Sequence, residues 1–227
     1  MIWTVIGDML PAALAAALSI GSIIGVVVIL TGTGGIGRAV VFAAGNALAI
    51  GLVLGAGVAL SSGASEPQST ADTGVKWLSL VVGALMLWLA VHNLRAQFRP
   101  DAKAQEPKWL AKLDSITLAG AAALGGTLGV LNAKNLPLII TQAGAIGQAG
   151  LGSVQAAIVC ASFGLVATLG VAIPVFTTVV RGAERARPLL DAWRSWLTRN
   201  NHALLGVLFL IMGARAFGTG LGSLLHS

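Results

Sequence analysis

Six long apolar runs separated by short polar segments organise the chain, at roughly 3–30, 39–60, 75–94, 116–145, 153–180 and 202–222. Each reaches the ~20 residues that an α-helix needs to cross the hydrocarbon core of a bilayer. The pattern therefore predicts an all-α integral membrane protein with six transmembrane helices. The first and fourth runs, at about 30 residues, exceed one straight span. Both are interrupted near the middle by a polar cluster, Ser19-Ile20-Gly21-Ser22 in the first and Asn132-Ala133-Lys134-Asn135, followed by Pro137, in the fourth. Backbone groups freed at membrane depth must be buried in protein or line a cavity, so both runs are expected to be broken spans.

The polar connections carry a charge asymmetry. The first has Arg38; the third has Arg95, Arg99, Lys103, Lys108 and Lys112; the fifth has Arg181, Arg185, Arg187, Arg194 and Arg199. The second, 61–74, has Glu66 and Asp72 but no basic residue, and the fourth, 146–152, has no charge. Basic loops stay in the cytoplasm, which predicts loops one, three and five inside and both termini outside. Two cytoplasmic stretches are amphipathic. In Arg185–Asn200, Leu189, Leu190, Trp193, Trp196 and Leu197 recur at helical spacing among arginines, and Glu106–Asp114 repeats this briefly with Trp109, Leu110 and Leu113. Such segments are expected to lie on the inner headgroups.

The two halves resemble each other. Val82-Gly83-Ala84-Leu85-Met86-Leu87 aligns without a gap on Leu205-Gly206-Val207-Leu208-Phe209-Leu210, which sets His92 over Arg215. An odd number of spans per half means that the second half enters the membrane from the opposite side. The expected organisation is one transmembrane domain, 1–227, built as two inverted three-helix repeats. Repeat 1 is about 1–94, a cytoplasmic linker about 95–114, and repeat 2 about 115–227, with an interfacial helix at about 184–200. In such folds the paired broken spans meet at the midplane and form the binding site.

Composition fixes the solvent. The chain is 56% hydrophobic and only 10% charged, against about 25% charged in soluble domains, and its 227 residues leave no room for a soluble domain beside six spans. The net charge of +6 sits beside apolar runs, as expected for anionic headgroups rather than nucleic acid. No Lys or Arg precedes the first apolar run, so Met1–Leu30 is expected to be a retained span rather than a cleaved leader. The single Cys160 excludes an internal disulfide or a two-cysteine relay and is expected to be a packing residue. Gly32-Thr33-Gly34-Gly35-Ile36-Gly37 matches GxGxxG but lacks the surrounding βαβ unit; it is expected to be a turn between spans. His92, His202 and His226 show no ligand spacing, and no nucleophile–base constellation is present. No enzymatic activity, metal or cofactor is expected.

The candidate chemistry lies inside the spans. Lys134 sits deep in the fourth run, where a charge costs at least about 2.5–3.5 kcal/mol. It either recognises an anionic or polar headgroup, with Asn132 and Asn135 supplying amide groups, or snorkels to the outer interface. Ser19 and Ser22 are expected to face it from the other break. Asp8, the one acid of the first run, and Arg215, the one charge of the sixth, are candidate charge partners or coupling groups, or else interfacial residues. Asn46, flanked by Gly45 and Ala47, either faces the cavity or bonds a neighbouring helix.

Taken together, Pro107-Lys108-Trp109-Leu110 through Asp114-Ser115, Asn132-Ala133-Lys134-Asn135-Leu136, and Glu184-Arg185-Ala186-Arg187-Pro188-Leu189-Leu190-Asp191 with Trp196-Leu197 and Asn200-Asn201 resemble the glycopeptidolipid- and sulfolipid-addressing proteins of actinobacteria, within the lysine-exporter superfamily. The resemblance covers nearly the whole chain. The family pattern carries NPKNL in the fourth span and an SPIP-like motif in the first; here Ala133 replaces that proline and Ser19-Ile20-Gly21-Ser22 replaces the SPIP-like motif. The resemblance implies a bacterial plasma-membrane protein that exports a cell-envelope lipid or glycolipid, or assists a larger lipid exporter. Its expected partners are membrane lipids and that exporter; the many small residues on the helices add a second copy of the chain as an expected partner, though they also serve packing within one chain. A small-solute exporter of the amino-acid type and a non-transporting scaffold are the alternatives. The single Cys160 and the lack of clustered His, Cys and acids disfavour thiol-redox and metal-export members of the superfamily.

Overall fold

The computed structural model of the chain describes residues 2–32, 35–62, 69–98, 113, 116–132 and 135–225. Among them nine helices form: α1 (Ile2–Ala17), α2 (Ile20–Thr31), α3 (Gly35–Ser62), α4 (Ser69–Gln97), α5 (Leu118–Val130), α6 (Asn135–Gln148), α7 (Ser153–Arg181), α8 (Ala183–Arg199) and α9 (Asn201–Leu225). The apolar runs and the helices coincide. The first run becomes α1 and α2, the fourth α5 and α6, and the basic amphipathic stretch α8. The second amphipathic stretch, Glu106–Asp114, lies outside the described residues except for Leu113, which is buried. Of the GxGxxG segment, Gly35-Ile36-Gly37 opens α3, with Gly35 at φ +68°, a conformation that glycine adopts without strain.

Among the described residues two helices, α3 and α7, are long and apolar enough to cross a membrane, and the pair α1 and α2, bent by 52° at its break, makes a third if it counts as one span. Their surfaces explain why. On α3, Ala39, Phe42, Asn46, Ile50 and Leu54 are buried, a stripe at three- and four-residue spacing. Leu48 and Leu52 on the opposite face are 66% and 71% exposed. On α7, Val159, Phe163, Ala167, Val171 and Val175 point inward, while Leu165 and Phe176 are each 69% exposed. Large apolar side chains turned outward on helix after helix suit hydrocarbon as the surrounding medium and would be a liability in water. The chain is a helical membrane protein.

The chain divides into two compact units. The first, Met1–Gly63 with Glu106–Ser195, packs the broken pair α1/α2 against α7, the broken pair α5/α6 against α3, and α3 against α7. In the second, Ala64–Gln105 with Trp196–Ser227, α4 packs along α9. Its contacts are close. A Cβ on Gly83 would lie 2.5 Å from the backbone N of Phe217, one on Gly213 2.9 Å from that of Leu87, and one on Gly206 2.6 Å from Cγ of Leu94. Partner numbers fall on one helix as they rise on the other, so the two helices run antiparallel. His202 Nδ1 and Asn93 Oδ1 lie 3.3 Å apart, and the Ala203 N–H donates to Gln97 Oε1 at 3.1 Å.

Gly182, at φ +79°, turns the chain sharply from α7 into α8. Within the first unit, Arg187 of α8 donates from Nη2 to the Thr31 carbonyl at 3.0 Å. That carbonyl belongs to the last turn of α2, where helical partners run out and the dipole is negative. A cation there contributes about 0.3–1 kcal/mol. Arg187→Ala is therefore expected to lower the thermal midpoint of the purified protein by about 1–4 °C, and Arg187→Lys by less. A larger loss would mean that Arg187 does more than cap α2.

Candidate functional site

The polar interruption of the first run ends one helix and starts another. The last helical bond of the incoming segment runs from Leu18 N to Leu14 O at 3.1 Å, and α2 begins with Ile23 N donating to Ser19 O at 2.9 Å. Between them Ser19 is extended, at φ −74° and ψ 95°. Short polar side chains suit this position because their oxygens compete with the helical backbone for hydrogen bonds. In the fourth run, α5 ends with Leu131 N donating to Thr127 O at 2.7 Å, and the chain restarts with Asn135 N and Leu136 N both donating to Asn132 O, at 2.9 and 3.3 Å.

The two breaks meet. Asn132 Nδ2 donates to Ser19 Oγ at 3.0 Å, and Ser22 Oγ donates to Ser19 Oγ at 3.1 Å. Ser19 and Ser22 are buried, 3% and 0% exposed. The N-terminal ends of α2 and α6 thus converge, each bringing the positive end of its dipole. One turn beyond Asn132, Asn135 donates from Nδ2 to the Gly129 carbonyl at 2.8 Å. The carbonyl accepts only from a donor, which fixes the orientation of the amide and turns Oδ1 the other way. Asn135 is 1% exposed, and its Oδ1 has no hydrogen-bond partner among the described residues.

Behind this cluster α3 and α5 touch backbone to backbone. Asn46, 2% exposed, donates from Nδ2 to the Gly125 carbonyl at 3.1 Å, and a Cβ on Gly129 would lie 2.6 Å from that same Nδ2. Asn46 therefore bonds a neighbouring helix, and with Asn135 it holds the carbonyls of the last two turns of α5. On the other side, a Cβ on Gly170 of α7 would fall on the Ala17 carbonyl, at the end of α1. Sequence reasoning missed Gly125, Gly129 and Gly170 as parts of the site's support. The signal was present in the four-residue spacing of Gly125 and Gly129, which permits close helix approach.

Of the residues predicted from sequence, the structure brings together Ser19, Ser22 and Asn132, with Asn135 on the same break and Asn46 behind it. Asp8 is exposed on α1, and the eleven residues separating it from Ser19 correspond to roughly 16 Å of helix, so it stands apart. Lys134 lies outside the described residues, as does the side chain of Arg215 on α9.

The arrangement brings hydroxyls, amides and the ends of two helices together inside an apolar protein. No curated protein and no solved structure matches the chain. The family model of Sap, sulfolipid-1-addressing protein, matches residues 9–222. That match spans nearly every helix described above, and the chain belongs to the Sap family.

Proposed function

We propose that this protein works in the bacterial plasma membrane in the delivery of a cell-envelope lipid or glycolipid, and that the two broken spans hold the lipid's polar headgroup. The observation that carries this reading is the convergence of two half-helix N-termini, joined by the Asn132–Ser19 hydrogen bond, inside an apolar helical protein of a family named for addressing a sulfolipid. Half-helix N-termini suit anionic or strongly polar groups. Lys134, next to Asn135 in sequence, would supply the countercharge.

The proposed frame is six spans in two inverted repeats with both termini outside. Its support is reciprocal packing. The offset of 123 that carries Gly83 to Gly206 also carries Leu94 to Phe217, and Gly83 meets Phe217 while Gly206 meets Leu94. Contacts that exchange in this way are expected of two halves related by a pseudo-two-fold axis. The broken pairs follow suit, α1/α2 packing on the span of the second half, α7, and α5/α6 on that of the first, α3.

The test is a comparison of surface-extractable with total lipids in a strain lacking the gene, restored with wild type or with Lys134→Ala. One polar lipid is expected to stay inside the deletion strain, to reach the surface with wild type, and to be delivered at least tenfold less by well-expressed Lys134→Ala. If no lipid changes place, the lipid reading fails and efflux of a small solute becomes the function to assay. If Lys134→Ala is harmless while Trp193→Ala with Trp196→Ala on α8 is not, the protein is a scaffold for a larger exporter.

A further inference from the structure

The main apolar face of α8 is used by the protein itself. Ala186, Leu190 and Leu197 are buried and Trp193 is partly covered. At 3.6 residues per turn these four share one side of the helix. A second stripe runs beside the first, through Arg185, Leu189, Ala192, Trp196 and Arg199. Alternating steps of four and three residues keep it on one line along the helix. This stripe is turned out. Trp196 is 51% exposed, Arg185, Ala192 and Arg199 are exposed, and Leu189 is half-buried. The apolar residues that read as one headgroup-facing set in the sequence are thus two sets, one inside the protein and one outside it.

Charge is sorted between the flanks of α8. The exposed stripe holds two arginines and no acid. Glu184 and Asp191 fall on the opposite flank, beside Thr198 and Arg187, and Arg187 is the residue that donates to the Thr31 carbonyl. The place of the helix is also defined. α7 is long and apolar enough to cross a membrane, it ends at Arg181, and Gly182 turns the chain at once into α8. α8 therefore begins at a membrane edge, and Asn201 opens the apolar α9 directly after it.

A stripe of this kind matches the headgroup region of a bilayer. Indole rings settle at headgroup level, and guanidinium groups pair with phosphates as planar forks. Arg185 and Arg199 stand about 21 Å apart along the axis, too far for one headgroup, so the match is to a lipid surface. Two arginines with no acid beside them favour a surface of negative charge.

We infer that Arg185, Leu189, Ala192, Trp196 and Arg199 dock α8 on anionic phospholipid headgroups at the edge of the membrane. The ligand is the bulk phospholipid of the bilayer, and the contact stands whatever the broken spans hold.

The experiment places a spin label on the full chain in nanodiscs. Cys160→Ala is the background, because Cys160 is the one cysteine of the chain. Ala192→Cys sets the label in the middle of the stripe and Asp191→Cys sets it on the opposite flank; both positions are exposed. Collisions with oxygen, which concentrates in lipid, and with a water-soluble nickel chelate report the depth of each label. In nanodiscs of about one third phosphatidylglycerol in phosphatidylcholine, the label at 192 is expected at headgroup depth and the label at 191 in water. In phosphatidylcholine alone, or with Arg185→Gln and Arg199→Gln together, the ratio of docked to undocked label at 192 is expected to fall roughly 25-fold, at about fivefold per arginine. Arg185→Lys with Arg199→Lys is expected to keep most of the docking, and added salt to weaken it.

If both labels are equally open to water in the phosphatidylglycerol nanodiscs, the docking is overturned. If the label at 192 reaches headgroup depth equally in the two bilayers, α8 is an apolar anchor and the anionic assignment is wrong. If that label is shielded from oxygen and chelate alike, protein covers the stripe and the inference falls. Should the double glutamine variant fail to fold, the comparison of the two bilayers decides alone.

Discussion

Gly125→Ala is expected to lower the stability of the purified protein by about 1–3 kcal/mol or more, a single methyl group causing one of the largest losses available in this chain. A Cβ at Gly125 would fall on the backbone carbonyl of Phe42, and one at Gly45 on the backbone of Ala122. Neither obstacle is a side chain that can rotate away; α3 and α5 must separate. Association of helices in lipid rests on this kind of close packing, because the bilayer offers no hydrophobic drive to bring them together. Gly125→Leu is expected to leave no folded protein to purify. Gly144→Ala and Gly51→Ala are the controls. A Cβ at either meets nothing within 4 Å, so the gain in helix propensity, at most about 1 kcal/mol, is all that remains and has the opposite sign. Thermal unfolding in nanodiscs reads all three, and equal midpoints for Gly125→Ala and Gly144→Ala would show that the α3–α5 contact is not tight.

That contact also explains what the sequence could and could not reveal. The breaks were legible because a polar cluster inside a run too long for one span has few other uses, and Ser19 and Asn132 stand at the two interruptions found. The amphipathic segment of α8 was legible for the same reason, its apolar residues recurring at helical spacing. The inward stripe is Ala186, Leu190 and Leu197, buried, with Trp193 partly covered, while Trp196 is 51% exposed. The pairing of helices was not legible. Nothing in Asn46 or Gly125 alone says that one donates to the other across 79 positions, because small residues are spread over every span and permit many close approaches. The orphaned oxygen of Asn135 was beyond the sequence altogether. An asparagine announces four hydrogen-bonding sites, and only the fold decides which one is left empty.

Asn135 is therefore where stability and function are expected to part. Asn135→Leu removes two terms of opposite sign. It loses the Nδ2 bond to the Gly129 carbonyl, about 0.5–1.5 kcal/mol, and it abolishes a buried acceptor whose unmet state costs about 1–3 kcal/mol. Leucine keeps the branching but is bulkier, and overpacking a buried site costs about 1–3 kcal/mol, so the net effect on stability is expected to lie within about 2 kcal/mol of zero. Asn135→Asp keeps the shape and does the reverse. It sets an oxygen against the Gly129 carbonyl, 2.8 Å away in the wild type, and buries a charge, for which about 3–5 kcal/mol is the usual cost of an uncompensated ion. Both variants are expected to stop delivery of lipid to the surface in the complementation assay, but only the aspartate should do so by unfolding. A leucine variant that is as stable as wild type and inactive would mean that the unmet acceptor is kept for its ligand, since replacing a strained polar group at a working site commonly raises stability while removing activity. A leucine variant that is stable and fully active would mean that the empty acceptor serves no substrate, and the headgroup would then have to be sought elsewhere in the chain.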